Sequence, residues 1–181
     1  MEWNFGGVFG AWLKSVFRLF GSVGLGGGSV DADEQIEAMK ELATSRDKRT
    51  AHQELVARIE EVVAAYERVF PGRTVIVTCY YRSVAEQKRL FKSGRFGNQG
   101  PILTKVDGVT KKSQHNIFPS RAADVAILIG GKVTWKDEMY WPLGALAKQC
   151  GLVWGGDWNG NGVKDEEWFD LPHFQLPGDV A

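Results

Sequence analysis

Apolar and polar positions alternate along this chain in two rhythms, and their order outlines a fold. From residue 31 the period is helical. Asp31 or Asp33 can cap a helix through Ile36, Met39 and Leu42 to about Ala43. A second helix is predicted from about Thr50 to Val69, its apolar stripe running Leu55, Ile59, Val62, Val63, Tyr66 and Val69, before Pro71-Gly72 ends it. The rhythm then shortens. Thr74–Thr78 is a β-branched run that reads as a buried strand. Ser83, with Glu86 three residues on, forms a capping box for a short helix through Gln87, Leu90 and Phe91. Residues 93–112 are polar and Gly-rich, a long loop able to line a cleft. Ala122–Ile129 is a second strand, turning at Gly130-Gly131 into Lys132–Trp135. Residues 138–150 form a helix, Leu152–Trp154 a short strand, and Pro172–Leu176 the last strand. Helices come first and a small antiparallel sheet later, which predicts an α+β fold with helices flanking the sheet.

Residues 1–30 stand apart. Phe5, Val8, Phe9, Trp12, Val16 and Leu19 or Phe20 recur at helical spacing, Leu13 and Phe17 widen the stripe, and Lys14 and Arg18 lie on the other side. The stretch is short for a membrane span and lacks the layout of a secretory signal. Three readings remain: a helix packed on the domain or on a partner such as a virion protein, a helix lying at a membrane interface through residues 1–24, or a leader. Leu25–Ser29 is Gly-rich and reads as a flexible joint. Two units are therefore expected, an amphipathic segment at 1–30 and a folded domain at 31–181.

Composition narrows the picture. The 181 residues are 44% hydrophobic and 24% charged, enough for one soluble domain with a core. Net charge is zero, so nothing global points to nucleic acid. Cys79 and Cys150 have no metal-type spacing and read as two reduced, buried thiols, with a disulfide between them as the alternative.

The chemistry gathers in two segments. Ser113-Gln114-His115 leads to Asp124, and Asp170-Leu171-Pro172-His173 follows near the end of the chain. Two of the three histidines are here, each close to an aspartate; His52 reads as an ordinary surface residue. His115, Asp124 and His173 form a two-histidine, one-carboxylate set that suits zinc and leaves a position open for water. Asp124 lies in a strand, sharing a face with Ala122 and Ala126, whose small side chains leave room. Asp170 and His173 are three apart and would face opposite ways in a strand, so Asp170 is expected in a turn that bends it back. There it is a spare carboxylate able to act as a base.

Three segments carry a resemblance: Tyr81-Arg82-Ser83 with Gln87, then Ser113 to Asp124, then Gly155-Gly156-Asp157-Trp158 leading into Asp170–Phe174. In this order they resemble the zinc peptidases that include D-Ala-D-Ala carboxypeptidases, D-Ala-D-Ala dipeptidases and phage L-alanyl-D-glutamate endopeptidases. The nine-residue step from His115 to Asp124 is longer than the commoner seven and looks like the phage-endolysin branch, as does aspartate rather than glutamate at position 170. The resemblance implies a peptidoglycan stem peptide as substrate, with the L-Ala–D-Glu bond first and D-Ala-D-Ala second. It implies Arg82 on a substrate oxygen or carboxylate, and Ser113, Gln87 and Tyr81 against substrate. It also implies release from the host cytoplasm to the wall on lysis, or carriage in the virion. A virion- or membrane-anchored wall-binding component is the rival, and an intact Asp170 argues against it; an amidase is opposed by Tyr81-Arg82-Ser83. Tyr81, Trp154 and Trp158 could be cleft walls or core.

One loop suggests a second cation. Asp157, Asn159, Asn161 and Asp165 stand at positions one, three, five and nine with Gly162 at six, like the start of a calcium loop. Position twelve is Trp168 instead of glutamate, so the alternative is a Gly/Asn turn cluster at the cleft rim.

Overall fold

The structure, a computed structural model, describes residues 32–40 and 43–178. The amphipathic segment lies outside the described residues. The first helix, α1, is Ala32–Lys40, and Thr44–Ser45 forms β1. A 3-10 turn at Lys48–Thr50 precedes α2, Gln53–Val69. Then come β2 (Arg73–Cys79), β3 (Tyr81–Arg82) and α3 (Val84–Lys92). After a second 3-10 turn at Gln114–Asn116 follow β4 (Ala122–Ile129), β5 (Lys132–Thr134), α4 (Asp137–Gln149), β6 (Val153–Trp154) and β7 (His173–Gln175). The α+β class read from the sequence holds.

The predicted start of α2 at Thr50 is corrected by three residues. The Thr50 hydroxyl donates to the Asp47 carbonyl at 2.6 Å. Its own carbonyl accepts from the Ser120 amide at 2.8 Å, and the His52 amide donates to the Ser120 carbonyl at 2.9 Å. Those partners end the 3-10 turn at Thr50 and hold Ala51 and His52 extended. His52 becomes the N-cap, its Nδ1 accepting from the Glu54 amide.

Among the described residues the strands pair antiparallel, and Ala51 and Ser120 form an isolated parallel bridge. The larger sheet runs β2-β4-β7-β6, with β5 on the same edge of β4 as β7 but further along; β1 and β3 form a separate pair. Helices α2 and α4 cover one face. Leu55, Ile59, Val62 and Tyr66 of α2 and Tyr140, Leu143 and Ala147 of α4 pack on Val75, Ala123, Val125, Ile127, Trp154 and Phe174. In β4 the odd-numbered residues face this core, and Ala122, Asp124 and Ala126 face the other way. That second face is free to carry a site.

Close packing of α4 on the sheet needs one glycine. A Cβ on Gly144 would sit 2.2 Å from the Trp154 ring, which is itself fully buried with its Nε1 donating to the Leu171 carbonyl. Trp154 is thus a core residue and not a cleft wall. Gly144→Ala is expected to lower stability by about 1–3 kcal/mol, because overpacking outweighs the gain in helix propensity. The thermal midpoint should fall by roughly 3–10 °C for a domain this size. An unchanged melting curve would show that the helix can slide off the ring.

Candidate metal centre

The strand register assembles the centre. Directly opposed residues of antiparallel strands share a face. Asp124 of β4 lies opposite His173 of β7 on one side and opposite Cys79 of β2 on the other. The second pairing exists because the register shifts between Val77 and Cys79, where the Thr78 hydroxyl donates to the Asp124 carbonyl at 3.1 Å. His115 arrives from outside the sheet on the 3-10 turn. Ser113 caps that turn, and its own amide donates to the Asn116 side-chain oxygen at 3.0 Å.

Three candidate donor atoms converge. His115 Nε2 is 3.0 Å from Asp124 Oδ1, His173 Nδ1 is 3.1 Å from the same oxygen, and the two nitrogens are 3.2 Å apart. The far nitrogen of each ring is occupied. His115 Nδ1 lies 2.6 Å from the Tyr80 carbonyl, which can only accept, so Nδ1 carries the proton and Nε2 presents its lone pair. His173 Nε2 lies 3.0 Å from the Gln175 side-chain oxygen and donates to it, which leaves Nδ1 facing the centre. The rings are held in opposite tautomers, both aiming a lone pair at one point, as ligating histidines are. Donors on a tetrahedral zinc lie about 3.3–3.4 Å apart, given bonds of about 2.0–2.1 Å. The observed triangle is slightly tighter, so these residues fit zinc.

The electrostatics favour a neutral His115 and an ionised Asp124, and a proton on His173 that a metal would have to displace. Burial pushes the His115 imidazole below its ordinary value and keeps it neutral. Burial opposes charge on Asp124, but His115, His173 and Arg82 outweigh it and hold the carboxyl well below the usual range. Burial also works against protonation of His173, but its bond to Asp124 and the charges of Asp124 and Asp170 raise it.

Cys79, His115 and Asp124 can also present one atom each within 4.8 Å of one another. The thiol is a poor third donor. It lies 3.9 Å from His115 Nδ1, the nitrogen turned away from the other donors, and burial pushes it up to about 12. It fits better as the small neutral backing of the ring. Cys150 is half-buried, and both cysteines are free.

Arg82 does different work from that expected. Its side chain is 14% exposed, and Nη2 donates to Asp124 Oδ2 at 2.8 Å. Nη1 donates to the Gln87 side-chain oxygen at 3.0 Å, while Nε is buried without a partner. The guanidinium therefore orients the second oxygen of the carboxylate. Gln87 is fully buried, and its amide donates to the Thr104 hydroxyl and the Val106 carbonyl. It has nothing left for substrate. Tyr81 is likewise buried; its hydroxyl donates to the Lys40 carbonyl and its ring packs edge-on against Phe118, tying α1 to the domain. Ser113 is half-buried, and its oxygen caps the turn that carries His115. Gln87 and Tyr81 thus support the ligands or the fold, and the Ser113 oxygen supports the turn that carries His115.

Asp170 sits where a turn is needed. Its carbonyl accepts from the His173 amide at 3.0 Å, and its amide donates to the Gly155 carbonyl at 2.7 Å. A Cβ on Gly155 would stand 2.4 Å from the Asp170 carbonyl oxygen, so only glycine lets this turn close against β6. Burial pushes the Asp170 carboxyl up to about 6, against the attraction of His173. Trp158 is 38% exposed with its ring 5.5 Å from that of His173, which makes it a wall of the centre.

The loop after it is not organised around calcium. Asp157 Oδ2 pairs with the Lys148 ammonium, which also donates to the Gly160 carbonyl, and accepts from the Gly162 amide. Asn159 and Asn161 turn their amide N–H groups to the Asp165 carboxylate, and their oxygens accept from the Asn161 and Val163 amides. The loop is the turn cluster, with an internal ammonium in the cation's place.

Sequence reasoning missed Gln175 and the Tyr80 carbonyl. Gln175 had a signal, since a residue two after His173 in a strand shares its face. The carbonyl had none.

Several known proteins resemble this chain, among them the three described next. No family model matches it. It is 30% identical over 118 residues to the peptidoglycan L-alanyl-D-glutamate endopeptidase CwlK of Bacillus subtilis, a stretch that covers 58% of this chain and 62% of that protein. The chain therefore spans about three fifths of that relative's length. The L-Ala D-Glu endopeptidase ChiX of Serratia marcescens shares the fold at a TM-score of 0.53 and 22% identity, over 74% of this chain and 88% of that one. The vancomycin-resistance D,D-pentapeptidase VanY, in complex with Zn(II), overlaps at a TM-score of 0.46 and 17% identity, over 78% and 82% of the two chains. The match to CwlK and the fold shared with ChiX agree with the resemblance to cell-wall peptidases; these proteins do not speak to a phage branch.

The position of Asp170 makes a measurable difference to stability. Its carboxyl titrates near 6 when folded against about 3.8 unfolded. The folded state thus binds more protons between those values, and stability falls as pH rises from about 4 to 6. In chelator-treated protein, Asp170→Asn should remove that slope and be the more stable form above pH 6, by on the order of 1–3 kcal/mol. Urea melts at pH 4, 5, 6 and 7 measure it; parallel slopes for both proteins would place the carboxylate in water.

Proposed function

We propose that this protein is a zinc peptidase that hydrolyses a peptidoglycan stem-peptide bond, L-Ala–D-Glu before any other. The observation that carries the reading is the pair of oppositely fixed histidine tautomers, His115 and His173, aimed with Asp124 at one point. A histidine pair built only for stability has no need of two lone pairs turned toward each other. His115, Asp124 and His173 would hold the zinc, which when bound supplies a Lewis acid that brings water's pKa toward neutrality. Arg82 keeps the Asp124 carboxylate turned inward. Asp170, with its pKa raised to about 6, takes a proton from the attacking water and returns it to the leaving amine. Trp158 walls one side of the substrate path. The bond choice draws support from CwlK and ChiX, both L-Ala–D-Glu endopeptidases by name. The nine-residue step from His115 to Asp124 supports an endolysin that meets the wall on host lysis or from the virion. Residues 1–24 are the candidate contact with a membrane or virion protein.

Digestion of purified peptidoglycan followed by mass spectrometry tests the reaction. A new D-Glu amino terminus is expected; release of terminal D-Ala would make the protein a carboxypeptidase, and intact stem peptides would overturn the reading.

Metal and base separate by mutation. Wild-type protein should carry about one zinc. His115→Ala and His173→Ala should lose metal and activity together. Asp170→Asn should retain zinc and lose on the order of 10²–10⁴-fold in rate. Full zinc content in both histidine variants, or near-normal turnover in the asparagine variant, would reassign these roles.

A further inference from the structure

Residues 84–112, from α3 through the loop that follows, hold seven Lys and Arg against two Asp and Glu, within a chain of zero net charge. Both acids are engaged locally. Glu86 forms a two-pronged pair with Arg89, at 2.7 Å to each oxygen. Asp107 accepts from the Val109, Thr110 and Lys111 amides. Lys88 and Lys92, one turn apart on α3, are exposed and make no ion pair among the described residues.

Next to them the chain folds into a knuckle. The Ser93 hydroxyl donates to the Pro101 carbonyl at 2.7 Å, and a Cβ on Gly94 would lie 2.7 Å from the Gly100 carbonyl, so the two limbs touch. Phe96 projects from the knuckle, 76% exposed at φ 55°, and Ile102 is 45% exposed. The Arg95 guanidinium lies over the Phe91 ring at 4.3 Å, and the Phe91 and Phe96 rings are 6.2 Å apart. Large apolar side chains thus stand in water beside uncompensated lysines.

We propose that this knuckle docks on an anionic lipid bilayer, with Phe96 and Ile102 entering the headgroup layer while Lys88 and Lys92 meet the lipid phosphates. Charge complementarity selects an anionic surface. The apolar tip selects a bilayer over a dissolved polyanion, because Phe96 and Ile102 leave water only if the partner has an apolar phase. No helix among the described residues is long and apolar enough to cross a membrane, so the contact is peripheral. The proposal is independent of the peptidase reading and of residues 1–31.

Co-sedimentation of the full chain with vesicles tests it, using phosphatidylcholine alone and phosphatidylcholine with about a third phosphatidylglycerol. Binding to the anionic vesicles should be at least about tenfold stronger and should weaken as salt rises. Lys88→Glu/Lys92→Glu should abolish the anionic preference, and Phe96→Ser/Ile102→Ser should cut binding about tenfold. Thermal melts of both variants should match wild type, since all four side chains are exposed. If the serine variant binds like wild type, the surface serves polyanions and the bilayer assignment falls. Unchanged binding by both variants would place membrane contact elsewhere in the chain, and absence of wild-type binding would end the proposal.

Discussion

A carboxylate set into a sheet of apolar side chains is costly unless opposite charge or a metal answers it. Asp124 is that carboxylate, and the architecture around it is a set of answers. One oxygen meets His115 and His173, and the other meets Arg82. The β2–β4–β7 register follows from the same need, since it sets His173 and Cys79 on either side of Asp124. Each neighbour is then held by a further group: Tyr80 for His115, Gln175 for His173, Gln87 for Arg82. Removing one would leave a charge or a polar group stranded, and a stranded group costs more than the bond it made.

Much of this was readable in the chain. His115 and His173 were conspicuous because histidines are scarce and each lies near an aspartate. Asp124 was legible as a charge inside an apolar strand with alanines on its face. The three-residue step from Asp170 to His173 required the turn that the structure shows. What could not be read depended on how separate elements come together. Gln87 pointed to substrate only by resemblance, yet its bonds run to Arg82, Thr104 and Val106. Tyr81 looked like a cleft aromatic until α1 came to rest on its hydroxyl. The oxygen-rich loop 157–165 met the spacing rule for calcium, but no spacing rule reveals that Lys148, on α4, arrives with a charge of its own.

The base and the wall of the centre depend on backbone more than on side chains. Asp170 is positioned through its own amide and carbonyl, bound to Gly155 and His173. Among the described residues its carboxyl makes no hydrogen bond or ion pair, and burial raises its proton affinity for chemistry. Trp158 follows on the same turn-rich connection from β6, so base and wall share one support.

The alternation of β4 has a consequence for how such a protein can change. Ala123, Val125 and Ile127 belong to the helix-covered core, and Ala122, Asp124 and Ala126 to the opposite face. Neighbouring residues, 3.3 or 3.4 Å apart along one strand, therefore answer to different demands. Substitutions at odd positions are judged by packing, and those at even positions by what they do to the centre. A lineage could exchange its core while leaving its chemistry alone, or reshape the space beside the ligands without loosening the fold, using adjacent codons of a single strand.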